Sequence, residues 1–478
     1  MYIHDFLSKN AIKYPNKVAY EFEDKVYTWA ELNSFVNNYA LNIRQNVSGA
    51  SQQQIIGILL PNCIEFVIAY LAILKLGHIA MPFDPSHKKL EITNVAESYK
   101  PSLIITNSSY ESELPDDIPE LLTDKDIEIL GSKDFSININ LPPKKQIASL
   151  LFTSGTTGHP KATAYSHTNH LWNIKAVTKL WQWTSQDTLL LSLPLSHWHG
   201  LVMGVAGGLT HANTTYLQAR FSAKETLKEL TKGRVSIFMH VPIAYFKLNE
   251  FVDYTKYPIK NVRLFISGSS FLPPKVWQDF KDNYGYEILE RYGASETGLI
   301  VSNKLEEKIP GSVGYSLPGV QFRIETDGEI AMKSPGLFLG YYHNQSATKK
   351  HTTADGWWLT NDIGELDEKT GRLTLKGRVQ EKIKKLGYTV YPRDVEWAVM
   401  QGGLVSDIVV IGLQDPNDLS DTVVYFVVAD NQTKQILNNY CKANLPGAWR
   451  PDKIVFLDEL PKTRSGKPQL AKLKTLIG

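Results

Sequence analysis

Residues 150–167 read LLFTSGTTGHPKATAYSH. An apolar run ending at Phe152 gives way to Thr153, Ser154, Gly155, Thr156, Thr157 and Gly158, and Lys161 follows just beyond Pro160. Hydroxyls and backbone N–H groups on a glycine-flexed loop can converge on polyphosphate oxygens with no Cβ in the way, and a lysine adds a point charge. The stretch therefore predicts a strand over 147–152 followed by a phosphate-binding loop. It is not a nucleotidase P-loop, which needs glycine five residues after its first glycine; from Gly155 that place is Pro160. The plainer alternative is an ordinary polar turn, which has no need of an unbroken Ser/Thr/Gly run closed by His-Pro-Lys.

Outward from this loop, short apolar strands alternate with helices. Residues 55–60, 79–82, 102–106, 188–193, 236–240 and 263–267 read as strands, and 61–76 as a buried helix entered at Pro61. Such alternation predicts a parallel α/β sheet. Residues 18–22 and 25–27 read as a hairpin, and Thr28-Trp-Ala-Glu31 has capping-box spacing. Polar residues 126–145 read as a joint between two halves of a large domain. Past Gly311 the strands at 321–326, 329–333 and 372–376 read as a small β-rich subdomain, and from Val379 the pattern turns α+β. The expected fold class is α/β, with a large multi-subdomain N-terminal domain over 1–378 and a smaller mobile α+β domain over 379–478.

At 478 residues the chain is too long for one core. A net charge of +2 gives no reason to expect nucleic acid or an anionic membrane as partner. Two cysteines, Cys63 and Cys441, offer neither a disulfide framework nor a metal pair. The start Met1-Tyr-Ile-His-Asp lacks the pattern of a signal peptide, and no apolar run reaches membrane-spanning length. These readings lead to the expectation of a cytoplasmic protein without a transmembrane segment.

Three further segments carry chemistry. In ERYGASETG, residues 290–298, Gly293 permits a tight turn, and Ser295 and Glu296 set a hydroxyl beside a carboxylate, a pairing suited to Mg²⁺ that also touches phosphate. Over 357–378, Asp362 offers two acceptor oxygens for ribose hydroxyls, and Arg378 can meet the same nucleotide. In LPKTRSGK, residues 460–467, Lys467 on a basic C-terminal loop can act as a movable cation. Taken singly, the plainer readings are a surface turn, an Asp–Arg surface pair and a solvated basic tail.

Together FTSGTTGHPK, SGSS at 267–270, YGASE, TND…GR and PKTRSGK resemble the adenylate-forming superfamily of acyl-CoA synthetases, peptide-synthetase adenylation domains and luciferases. The resemblance runs from YTWAEL near the N-terminus to Lys467. ILLPNCIEFVIAYLAILKLG and LPLSHWHG are similar to the acyl-CoA synthetase branch, and His-X-His-Gly with LERYG to malonyl-CoA synthetases. The resemblance implies an AMP-forming acid–CoA ligase using ATP, Mg²⁺ and CoA. It implies that Thr153–Gly158 and Lys161 hold the β- and γ-phosphates, and that Gly268, Ser269, Ser270, Tyr292 and Gly293 line the adenine. Ser295 would touch the α-phosphate, Glu296 ligate Mg²⁺, and Asp362 hold the ribose with Arg378 nearby. Lys467 would bridge acid and α-phosphate, and His197 would lie between the acyl pocket and the thiol's path. The C-terminal domain would rotate about Gln380, and Gly387 would line the CoA tunnel.

The chain departs from the family pattern at Gln380, usually Asp or Lys, at Leu386, usually glycine, at Asn361, usually glycine, and at Ala162 and Leu470. The acid stays open between fatty and malonate-like. Apolar Val202, Met203 and Val205 suit a fatty chain, whereas His199 and Arg291 suit a second carboxylate. The reading preferred from sequence is that Arg291 pairs structurally with Glu290 or another acid. Two alternatives stand beside the CoA ligase: an enzyme that loads an acyl carrier protein's phosphopantetheine, and a non-catalytic ligand-binding homologue.

Overall fold

The structure is a computed structural model describing residues 1–47, 52–123, 141–153, 161–251, 254–414, 420–430, 433–463 and 468–477. The Ser154–Gly158 part of the expected phosphate loop, residues 126–140 of the 126–145 joint and Lys467 lie outside the described residues.

Two sheets form the large unit. In a nine-stranded sheet, Ile288–Ala294, Leu264–Ser267, Ile237–His240, Thr188–Leu191, Thr214–Leu217 and Val18–Phe22 lie side by side and parallel, with antiparallel strands added at both edges. In a seven-stranded sheet, Ile147–Phe152, Ile79–Pro82, Ile55–Ile58, Leu103–Thr106 and Glu120–Leu122 are parallel. The helix Ile64–Lys75 is buried from Ile64 to Leu74 except at Glu65, so its sequence is apolar on every side. It begins at Ile64, with Cys63 as its N-cap, not at Pro61. Asn62 is held out of helical geometry because its side chain donates to the Leu193 carbonyl and accepts from the Leu195 N–H, both at 2.9 Å. Thr28 and Glu31 form the expected capping box on Trp29–Asn46.

Gln321–Ile324, Glu329–Lys333, Trp358–Asp367 and Arg372–Arg378 make a four-stranded antiparallel sheet. Beyond it, a hairpin (Ile383–Lys385 and Tyr388–Val390), the helix Pro392–Gln401 and a three-stranded sheet (Asp407–Leu413, Thr422–Val428, Lys453–Leu457) enclose their own apolar core around Val395, Val410, Tyr425 and Leu437. The α/β class expected from sequence is the class observed. Among the described residues, side chains that tie this last unit to the large one include Lys376, which reaches Asp394 at 3.3 Å, Lys382, which donates to the Asp327 carbonyl at 2.6 Å, and Arg393, which lies over the Phe271 ring.

Asp187 fastens the start of the central strands. It accepts from Arg263 Nε and Nη2, both at 2.7 Å, from Ser236 Oγ at 2.7 Å and from the Thr184 N–H at 2.8 Å. Burial alone would raise its carboxyl, but these donors hold it below the ordinary range. Its contribution is present at neutral pH and fades as acid protonates it. Asp187→Ala should lower unfolding stability at pH 7 by about 3 kcal/mol, because Arg263 is left without its acid, and the deficit should shrink toward pH 3. Denaturant unfolding at the two pH values measures both.

Candidate active site

A cavity of about 250 Å³ opens where the C-terminal ends of the parallel strands meet the four-stranded sheet. Its wall includes Thr153 and Lys161, the Gly268–Ser270 turn, Tyr292, Gly293, Ser295, Glu296, Asp362, Arg378, Gln380 and Arg291. Most residues singled out from sequence, drawn from distant parts of the chain, thus converge on one hollow.

Gly293 is dictated by a close backbone approach: a Cβ there would stand 2.0 Å from the Gly298 carbonyl oxygen. The turn between them is fastened by Thr297, whose hydroxyl accepts from the Ala294 N–H at 2.9 Å. Buried Asn173 accepts from the Leu299 N–H at 3.0 Å and donates to the Gly336 carbonyl at 2.9 Å. Tyr165 donates to the Ser295 carbonyl at 2.9 Å. Tyr341 donates to Glu296 Oε1 at 2.7 Å, and Lys161 lies 5.2 Å from the Tyr341 ring centroid. Lysine and carboxylate therefore share one wall. Burial, then Glu296, drive the Tyr341 hydroxyl's pKa up, so it remains a donor.

Asp362 is buried, accepts from the Tyr292 hydroxyl at 2.7 Å and lies 3.4 Å from Arg378 Nε on the next strand. Arg378 is half-exposed, and Asp362 raises its pKa. Asn361 takes a left-handed conformation with φ of 60°, which asparagine tolerates better than most residues, so its departure from the usual glycine preserves the backbone. Ser269 is also left-handed, with φ of 73°.

The expected pairing of Arg291 with Glu290 is overturned. Neighbouring residues on a strand face opposite ways, and Glu290 Oε1 accepts from the Gly311 N–H at 2.8 Å. Arg291 instead donates to His199 Nδ1 at 2.6 Å and Ser269 Oγ at 3.2 Å, and no carboxylate lies within ion-pair distance among the described residues. Arg291 Nε and His199 Nε2 are buried without hydrogen-bond partners among the described residues. Gly268 makes the passage, since a Cβ there would stand 2.5 Å from Arg291 Nε. Burial pulls Arg291 down to about 9, still charged at neutral pH. Burial, then Arg291, keep His199 neutral and acceptor-competent.

Two expected site residues stand away from this wall. His197 is half-buried, with Nδ1 3.1 Å from Ser196 Oγ. Gly387 closes the hairpin tip with Leu386, at φ of 78° and 52°, and Leu386 is 63% exposed. Two positive φ values define a type I′ turn, which glycine favours at both places. Sequence reasoning missed Tyr341, Asn173 and Tyr165. Each works through long-range contacts that no local pattern announces.

The AMP-binding enzyme family matches residues 7–342, and the AMP-binding enzyme C-terminal domain matches 394–467. The mitochondrial malonate–CoA ligase of Homo sapiens is 27% identical, covering 88% of this chain and 82% of that protein. The 2-succinylbenzoate–CoA ligase of Listeria monocytogenes is 28% identical over 98% of each chain. ATP-bound MatB from Rhodopseudomonas palustris superposes with a TM-score of 0.90 at 25% identity, covering 100% of this chain and 99% of that one; its apo form gives 0.80. Among the described residues no helix is long and apolar enough to cross a membrane.

Asn173→Ala leaves the Leu299 N–H and Gly336 carbonyl unpaired, so stability should fall by about 2–4 kcal/mol. AMP affinity should weaken with it as the 294–298 turn loosens. Unfolding and equilibrium AMP titration measure the two effects. The chain belongs to the AMP-binding enzyme family, the adenylate-forming superfamily its sequence motifs resemble.

Proposed function

We propose that this protein is an AMP-forming acid–CoA ligase whose acid is a short, malonate-like dicarboxylate. The observation that carries the reading is Arg291, a buried guanidinium facing the cavity with no carboxylate of its own. An unpaired buried charge costs several kcal/mol, and an anionic ligand relieves that cost. Neutral His199 orients the guanidinium by accepting from it. The malonate–CoA ligase among the relatives adds weight.

In this reading residues 1–378 hold ATP and acid, and 379–478 form the lid. Thr153–Gly158 and Lys161 hold the β- and γ-phosphates. Gly268, Ser269 and Ser270 line adenine with Tyr292 and Gly293, and Ser295 touches the α-phosphate. Asp362, oriented by Tyr292 and Arg378, binds the ribose hydroxyls. A hard cation such as Mg²⁺ needs one or two protein carboxylates beside substrate phosphate oxygens, and Glu296, with Oε1 held by Tyr341, fits that need. When bound, it neutralises phosphate charge. Arg291 fixes the distal carboxylate so that the proximal one meets the α-phosphate, and Lys467 stabilises the charge developing there. Pyrophosphate leaves; the lid then turns about Gln380, bringing Gly387 and the thiol's path past His197 into use, and the thiol displaces AMP.

A carrier-protein thiol is the second reading. It is favoured by Leu386 and Tyr388, 63% and 70% exposed at the hairpin tip. Offering CoA and a carrier protein as competing acceptors separates the two.

The test is acid-dependent AMP release across acids from malonate to palmitate. Malonate should be turned over and palmitate not, and Arg291→Ala should raise the malonate KM by about 10²-fold, the equivalent of a lost charged hydrogen bond. Malonate inactivity with a normal Arg291→Ala profile refutes the dicarboxylate. Lys467→Ala should lose about 10²–10³ in acid-dependent pyrophosphate exchange; an unchanged rate refutes its role.

A further inference from the structure

Tyr165 is completely buried, and its hydroxyl crosses from one part of the cavity wall to another. It lies on the strand Ala162–Ser166, which starts directly after Lys161 and pairs antiparallel with Ile147–Phe152. The Thr153 N–H donates to the Lys161 carbonyl at 3.1 Å, so the two strands are also joined at their open end. Alternate residues of a strand share a face. Ala162 and Ala164 pack into one apolar core with Leu150 and Phe83, and Tyr165 into another with Leu151 and Trp198. Lys161 and Tyr165 therefore point to the same side, roughly 13 Å apart along the strand.

That side meets the 294–298 turn at two neighbouring residues. Tyr165 donates to the Ser295 carbonyl at 2.9 Å. Lys161 lies over the Tyr341 ring, and Tyr341 donates to Glu296 Oε1 at 2.7 Å. The segment before Tyr341 repeats the link through backbone. The Phe338 N–H donates to the Glu296 carbonyl at 3.0 Å, and the Leu339 N–H to the Ala164 carbonyl at 2.8 Å. One short strand thus follows the lysine and carries the hydroxyl that holds the turn.

The Tyr165 ring is clamped in this position. His170 stacks on it with ring centroids 4.8 Å apart and planes 17° from parallel, and His170 Nε2 lies 2.7 Å from Ser149 Oγ on the partner strand. Trp198 and Phe338 close on it at 6.5 Å each. Burial, then Glu296, keep the hydroxyl protonated and donating. A phenylalanine would fill the same apolar slot, so what the tyrosine adds is the bond to Ser295.

We propose that Tyr165 is a positioning residue for adenylate formation: it sets the Ser295–Glu296 turn at a fixed distance from Lys161 and so aligns the α-phosphate with the departing pyrophosphate. The inference rests on the reading that gives Ser295 the α-phosphate and Lys161 the β- and γ-phosphates. In that step an acid oxygen bonds to the α-phosphorus while the bond to the bridging oxygen breaks, its electron pair leaving with pyrophosphate. Attack and departure need a common line, so an error in spacing between the two subsites costs rate, not affinity. Transfer from the finished adenylate to a thiol involves no pyrophosphate and is indifferent to that spacing.

The test is Tyr165→Phe in the full chain, assayed by pyrophosphate exchange with Mg–ATP and malonate. The exchange kcat should fall about tenfold with the KM for ATP and malonate unchanged, the effect of one hydrogen bond that counts only in the transition state. Transfer from supplied malonyl-adenylate to CoA, and AMP affinity by calorimetry, should match the parent and show that the variant is folded. General loosening of the turn, as expected for Asn173→Ala, would weaken AMP binding too. That outcome, a thiol-transfer rate that falls in step, or an unchanged exchange rate overturns the inference and leaves the ligase reading intact. Where the parent uses another acid of the malonate-to-palmitate series, the same comparison is made with that acid. Absence of exchange with every acid of the series overturns both.

Discussion

A guanidinium buried without a carboxylate is the constraint around which this molecule is arranged. Desolvating a charge costs several kcal/mol even after relaxation, so folded chains almost always pair it. Here Arg291 is held by a neutral histidine and a serine hydroxyl, neither of which cancels its charge. The rest of the fold tolerates this because two parallel sheets bury enough apolar surface to carry one locally unfavourable site. The helix Ile64–Lys75, buried nearly end to end, is the clearest case. The Asn62 contacts that delay the start of that helix also fix the chain at Leu193–Leu195, just before His199. The segment that leads to His199 is thereby tied to the core.

Charge separation along one strand leaves Glu290 and Arg291 with separate partners. Glu290 and Arg291 are adjacent in sequence, yet strand geometry turns them to opposite sides. One side keeps a cation without its anion, and the other keeps a carboxyl without its cation. Had they paired, as their adjacency invites, the strand would have carried an ordinary ion pair. Gly268 is the physical condition for keeping them apart, because any larger residue would block the path of the Arg291 side chain.

The strands and the class of fold were legible because short apolar runs broken by turn residues carry their own signature, and the Thr28–Glu31 cap because its chemistry is local. Asp362 and Arg378 were legible as a pair because cross-strand register brings them opposite each other. The start of the buried helix was not, since Asn62 is governed by contacts with residues more than a hundred positions away. Tyr341 was missed for the same reason: the carboxylate it meets, Glu296, is 45 positions away. The Arg291–Glu290 pairing failed for a different cause. Adjacency along a strand is not pairing in space, because neighbouring side chains face opposite ways.

In the proposed mechanism Gln380 is the pivot, and it has no charge with which to favour one lid position over another. In this structure the electrostatic fastening lies on either side of it. Lys376, before Gln380, meets Asp394 after it at 3.3 Å, and Lys382, after Gln380, donates to the Asp327 carbonyl before it at 2.6 Å. Contacts of this kind contribute about 0–1 kcal/mol each when solvent reaches them. That suffices to shift a population several-fold without locking it. The overall arrangement is nearer to the ATP-bound relative than to its apo form, with TM-scores of 0.90 and 0.80. On the proposed mechanism, a lid held by weak contacts beside a neutral pivot can be displaced by modest changes in what fills the cavity. A strong ion pair at the pivot itself would have resisted that motion in one direction or the other.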